Sequence, residues 1–204
     1  MIPGNPQILT CPYCGTEKEI MSLMSGNTFG AELWSDNKQI APMRPEISLV
    51  QKCPHCGKYF IRTRQEARYA QSGMSMDQGL LTYAETKEAF DQISQEGFKS
   101  SDEEIRLRFM LHYAFNDFYY RSGEQREIDK DDWELFVQNG KWLIDNYIQD
   151  GLVKAEFYRQ IGDFDNALSH LDTVGDNLKQ FELDIAKMIR EHIDNKSTAV
   201  FRIR

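Results

Sequence analysis

All four cysteines of this chain lie in two copies of one five-residue pattern, Cys11-Pro12-Tyr13-Cys14-Gly15 and Cys53-Pro54-His55-Cys56-Gly57. Two residues between the cysteines of a pair let one turn aim both sulfurs at one point. Pro12 and Pro54 fix φ in the first half of each turn. Gly15 and Gly57 permit the positive φ that brings backbone amides close to the sulfurs. Two such turns supply four soft thiolate donors, the ligand set of a closed tetrahedral zinc site. The predicted ligands are therefore Cys11, Cys14, Cys53 and Cys56, and the predicted cofactor is a structural Zn2+. A thioredoxin-like redox site would use a single C-x-x-C, and disulfides would suit a secreted chain. His55 lies inside the second turn, but four thiolates already fill the shell, so it is read as exposed and non-ligating.

Thirty-eight residues, 15 to 52, separate the two pairs, against roughly 15–20 in common ribbons. Loop closure costs only about 0.6 kcal/mol per doubling of length. Structural zinc contributes roughly 10 kcal/mol or more, so a long insert is tolerated if it packs. Within it, residues 19–24, 28–34 and 47–52 read as strands, with 59–61 leading out of the second turn. Phe29 and Trp34 are expected to cover the small sheet. Pro42 and Pro45 mark a loop.

Past residue 62 the pattern changes to helix. A charged segment at 63–70 is read as the start of a connecting helix. Thr82-Tyr83-Ala84-Glu85 predicts a capping box, opening a helix that ends before Gly97. A second box at Ser101-Asp102-Glu103-Glu104 opens a helix to about Arg121, ended by Gly123. Leu107, Leu111, Ala114 and Phe118 form one apolar stripe on it, and Phe109, Tyr113 and Tyr120 another. His112 and Asn116 are read as interior polar groups or part of a groove. Further helices are expected from Asp129–Asp132 to about Gln149 and from about Asn177 to Asp194. The fold class is α+β, mainly α: a zinc ribbon with a small antiparallel sheet over 1–62, connecting helices over 63–100 and a helical array over 101–204.

Between two of these helices runs Ala155-Glu156-Phe157-Tyr158-Arg159-Gln160-Ile161-Gly162-Asp163-Phe164-Asp165-Asn166-Ala167-Leu168, followed by Leu171 and Val174. Ala155, Tyr158, Gly162, Phe164 and Ala167 resemble the tetratricopeptide helix-turn-helix. Small residues allow close helix approach, aromatics fill the crossing, Gly162 turns the chain and Asp163 caps the next helix. With the paired C-P-x-C-G turns, the chain resembles bacterial zinc-ribbon proteins that carry a tetratricopeptide-like helical region and have no assigned function. The resemblance implies an interaction module. It is specific at the turns and at 155–174, and vague between them.

Net charge is −8, distributed unevenly. Residues 1–70 hold eight basic and six acidic side chains, and residues 71–204 hold sixteen and twenty-six. Lys52, Lys58, Arg62, Arg64 and Arg68 cluster near the second turn, which raises an alternative: a ribbon that binds nucleic acid. The bland reading, a solvated surface, fits the weak basic balance better. No P-loop, G-x-S-x-G, H-E-x-x-H or dinucleotide fingerprint occurs, and the cysteines are committed to metal. The expectation is a non-enzymatic scaffold or adaptor for a protein or peptide partner, without catalytic residues. The N-terminal Met1-Ile2-Pro3-Gly4-Asn5-Pro6 lacks the pattern of a signal peptide and no apolar run has membrane-spanning length, so a cytoplasmic location is expected. The apolar tail Thr198–Arg204 is expected to dock on something.

Overall fold

The computed structural model describes residues 1–122, 128–174 and 178–204. The chain is mixed α+β and helix-rich, with small antiparallel sheets toward its N-terminus. It forms two compact units, Met1–Ala31 with Ile40–Leu107 and Glu32–Gln39 with Arg108–Arg204.

In the first unit, β1 (Ile2–Pro3) pairs with β4 (Leu23–Ser25). Strand β2 (Gln7–Thr10) is flanked by β3 (Glu17–Ile20) and β9 (Arg68–Tyr69). A further hairpin joins β7 (Val50–Lys52) to β8 (Tyr59–Ile61). Residues of β2 alternate between buried and half-buried, so Leu9 enters a core with Ile20, Phe60, Cys11 and Cys53. The helix expected over 63–70 does not form. A single 3-10 turn at Arg62–Arg64 leads into β9, whose Arg68 and Tyr69 pair with Ile8 and Gln7. Backbone partners on the open edge of β2 outweigh a weak local helix preference.

Helix α1 (Tyr83–Glu96) has the predicted capping box and ends at Gly97, φ 89°. Helix α2 (Ser101–Ser122) begins one residue earlier than the predicted box: the capping contact is Glu103 N–H to Ser100 Oγ, 3.2 Å. The predicted stop at Gly123 and the start near Asn177 lie outside the described residues.

The second unit contains the rest of α2, then α3 (Lys130–Asn146), α4 (Gly151–Gln160), α5 (Phe164–Val174) and α6 (Gln180–Asp194). Helix α3 stops three residues short of Gln149. Leu143 C=O accepts from both Tyr147 and Ile148, and Asp150 then caps α4 through the N–H groups of Leu152 and Val153. Gly162, φ 80°, turns α4 into α5, and Asp163 caps α5. Ala155 and Ala167 are fully buried beside Leu171, Ile189, Ile193 and Phe201. The predicted strand over 28–34 is reduced to β5 (Glu32–Leu33), paired with β6 (Gln39–Ile40). Upstream of β5, Asn27 and Thr28 make a tight turn instead.

The C-terminal tail docks as expected. Ser35 N–H donates to Phe201 C=O, Leu33 N–H to Arg204 C=O, and Ile203 N–H to Leu33 C=O. Phe201 stacks on His192 with ring centroids 4.3 Å apart. Arg159, fully buried, pairs with Glu156 and donates to the carbonyls of Ser197 and Ala199. The charge is thus paired, and four of the five N–H groups of the guanidinium donate to Glu156 or to a backbone carbonyl, as its burial favours. The same interior holds His112, Asn116, Gln160 and Asp36 in one hydrogen-bonded chain that reaches Tyr120. His112 and Asn116 are therefore interior polar groups, one of the two roles left open by the sequence.

Candidate metal centre

Both cysteine turns are hairpin tips of one construction. Thr10 pairs with Glu17 across the first and Lys52 with Tyr59 across the second. Cys11 N–H donates to Thr16 C=O at 2.9 Å, and Cys53 N–H to Lys58 C=O at 2.9 Å. Gly15 N–H and Gly57 N–H return to Cys11 C=O and Cys53 C=O at 2.9 and 3.0 Å. Gly15 and Gly57 have φ of 77° and 73°, the left-handed conformation that this turn requires.

The first cysteine of each turn is buried and the second exposed. The four sulfurs lie within 4.8 Å of one another, with Cys11–Cys56 at 3.6 Å and Cys14–Cys53 at 3.5 Å. Tetrahedral thiolates around zinc, with bonds of about 2.3 Å, stand about 3.8 Å apart. The donor set therefore fits a tetrahedral ion, and all four predicted residues are brought together. Hydrogen bonds with Thr16 draw the Cys14 thiol down to about 5. The Lys58 amide favours the Cys56 thiolate, but desolvation and the neighbouring sulfurs outweigh it and push that thiol up to about 12. Four sulfurs this close cannot all be anionic without a cation among them. The cluster suggests a metal ion, held by four protein ligands. Among the described residues it is the one such group of His, Cys, Asp or Glu. His55 is exposed and outside it.

The supports of the two tips escape sequence reasoning. Tyr13, inside the first turn, donates to the carboxylate of Glu96 on α1 at 2.6 Å, and Lys58 lies 4.7 Å from the Tyr13 ring centroid. Desolvation, then the Glu96 carboxylate, raises the Tyr13 hydroxyl to about 12. Gln92 on α1 pairs with both backbone groups of Tyr59, and Gln65 with both of Thr10. A lone glutamine carries no pattern that announces this. The spacing of Glu85, Gln92 and Glu96 along one helix face is the signal that could have been read.

The predicted basic cluster is largely committed within the first unit. Lys52 pairs with Glu85 at 2.9 Å, Arg68 with Glu17 at 2.9 Å, and Arg64 with Glu103 through two nitrogens. Arg62 donates to Gln7 and to Ser48 C=O. Phe29 does not cover the sheet: the turn presents it 83% exposed. Trp34 is buried, but in the second unit, edge-on to Tyr120 with centroids 5.0 Å apart. Comparison of the chain with models of known families, with curated proteins and with solved structures finds no match.

Proposed function

We propose that the chain is a non-enzymatic scaffold or adaptor whose first unit is stapled by a structural zinc ion on Cys11, Cys14, Cys53 and Cys56. The observation that carries the zinc reading is the convergence of four thiols from two matching hairpin tips. Thiolates select soft or borderline ions, and tetrahedral all-sulfur sites take zinc or iron. With four protein ligands the ion keeps no position for substrate, so its work is to hold the small strands together.

The adaptor reading rests on where apolar surface remains. Met24, Phe29, Met74 and Met76 are 77%, 83%, 66% and 68% exposed, all on the first unit. Exposed methionine and aromatic side chains suit a protein contact, because thioethers adapt to irregular partners. The likeness of 155–174 to a tetratricopeptide hairpin supports an interaction role for the second unit too, with its own tail seated against the helices. Nucleic-acid binding has less support, since Lys52, Arg62, Arg64 and Arg68 are held by internal partners. No helix among the described residues is long and apolar enough to cross a membrane. A cytoplasmic setting, where thiols stay reduced, agrees with metal-held cysteines.

Elemental analysis of protein purified without added metal tests the centre. About one zinc per chain is expected. Cys11→Ser or Cys53→Ser should lose it while far-UV helicity persists. Two disulfides and no metal would overturn the reading. Affinity capture with the wild type and with Phe29→Asp tests the surface: a partner retained equally by both removes Phe29 from the interface.

A further inference from the structure

A cavity of about 600 Å³ opens in the second unit, within the range of small-ligand sites. Its apolar walls are aromatic. Phe109 and Tyr113, one helical turn apart on α2, have ring centroids 5.7 Å apart. Tyr147, just past α3, stands at 81° to Phe109 with centroids 5.5 Å apart. The Tyr113 ring already carries the Lys38 ammonium, 4.8 Å from its centroid, and serves as wall. Tyr147 is 49% exposed and offers the open ring.

The charge of an occupant follows from what lines the space. No lysine, arginine or histidine does. The N-terminus of α4 would attract an anion, but its N–H groups at Leu152 and Val153 already donate to the Asp150 carboxylate, at 2.9 and 3.0 Å. Asp150, engaged as that cap, is no counter-ion for a cation either. An uncharged ligand remains. Its polar edge is met by two carboxamides on the rim, Asn37 and Gln149, and neither has a hydrogen-bond partner among the described residues. Asn37 is held by its backbone: φ is 67°, and its N–H donates to Trp34 C=O at 2.9 Å.

We propose that this cavity binds an uncharged adenine-type base, free or as a nucleoside. The base stacks on Tyr147, and Asn37 and Gln149 read its edge. Stacking alone accepts any planar ring. A carboxamide sets a donor beside an acceptor, which matches the adjacent amino group and ring nitrogen of adenine. The paired acceptors of guanine call for arginine or lysine instead. Residues 71–204 hold sixteen basic and twenty-six acidic side chains, a balance that disfavours a ligand carrying phosphate.

The test is a titration of the full chain followed by the amide shift of Val153. The probes are adenine, adenosine, adenosine monophosphate, guanosine and purine riboside, which lacks the amino group. Saturable shifts with adenine and adenosine are expected, and the tighter of the two tells a free base from a nucleoside. The other three should each bind about fivefold more weakly or worse. Tyr147→Ala should weaken adenosine about tenfold, and Tyr147→Phe should retain it. Asn37→Gly keeps a residue at ease with positive φ while removing the carboxamide. It and Gln149→Ala should each weaken adenosine about fivefold with an unchanged far-UV spectrum. Unchanged affinity in either variant, purine riboside or the monophosphate binding as tightly as adenosine, or no saturation by adenine or adenosine at millimolar concentrations overturns the proposal.

Discussion

The side-chain amide of Gln92 pairs with both backbone polar groups of Tyr59, accepting its N–H at 3.1 Å and donating to its C=O at 2.9 Å. It stands where a neighbouring strand would, and so closes the edge of a three-residue strand that has one partner. Gln65 does the same for Thr10, at 2.9 and 2.7 Å. Each cysteine turn is thus steadied at its base by a glutamine that acts as a detached peptide group. Gln92→Leu should cost about 1–3 kcal/mol, because it leaves two backbone groups without their partner. Gln92→Glu should cost more. A carboxylate cannot donate to Tyr59 C=O, and it would stand one helical turn from both Glu88 and Glu96. Urea unfolding of the metal-loaded variants reads both values, and Glu tolerated as well as Gln would refute the pairing.

Three left-handed glycines should respond differently to alanine. At Gly15 and Gly57 an added Cβ meets nothing within 4 Å, so the cost is conformational alone, about 1–2 kcal/mol. The two should match, since the two tips are built alike. At Gly79, φ 62°, the added Cβ would come within 2.1 Å of the buried Gln51 side chain. Gly79→Ala should therefore exceed both in the same denaturation series.

His112 predicts a pH dependence. It is fully buried between Phe136 and Phe157, at centroid distances of 4.8 and 4.6 Å, and hydrogen-bonds to Gln160. Desolvation lowers its pKa from 6.5 to about 4. Between those values the unfolded chain binds a proton that the folded chain refuses, so stability rises with pH. The contribution is full above pH 6.5 and is lost as pH falls to about 4, about 3 kcal/mol in all. The charged groups of the same network are Asp36, Glu156 and Arg159. Burial raises the Asp36 carboxyl despite hydrogen bonds from Tyr120, Lys38 N–H and Asn116. Its contribution has the opposite sign: it favours the folded state below the usual carboxylate range and weakens as pH rises. His112→Phe should thus flatten or reverse the slope of unfolding free energy over pH 4–6.5. An unchanged slope would refute the assignment.

Phe201 should govern the tail. It is 9% exposed, stacked on His192 and beneath Arg159, whose guanidinium lies 5.3 Å from the ring centroid. Phe201→Ala should cost about 3 kcal/mol, the lower end for a buried Phe, since a tail can detach locally. Proteolysis should then cut within 198–204 before any helix, and mass spectrometry would locate the cut. Cleavage elsewhere first would show that the tail is not the weak point.

The features read correctly from sequence are those fixed by local chemistry. The C-P-x-C-G turns, the Thr82–Glu85 box and the Gly162–Asp163 turn each depend on residues a few positions apart. The misread features depend on distant partners. Arg68 and Tyr69 became a strand because β2 offered an open edge 60 residues away. Trp34, expected to cover the small sheet, packs in the second unit instead, because aromatic content says nothing about which unit a residue joins. Phe29 is presented to solvent by a turn whose polar anchor is Asn27, so its hydrophobicity misled. The Gln65 clamp leaves no trace in composition or period, and Gln92 shows only through its spacing with Glu85 and Glu96 on one face of α1.

The pairing of Ser35 with Phe201, 166 positions apart, has a consequence for synthesis. The cysteine turns are complete once residue 57 is made, so the sulfurs can gather while most of the chain is still to come. The 32–39 hairpin cannot finish its pairing until residues 200–204 exist. At about 5–20 residues per second, Trp34 and Asp36 wait on the order of ten seconds or more for their surroundings. The second unit therefore closes after the first, and a stop in translation before residue 200 leaves Leu33 and Ser35 without their partners in the tail.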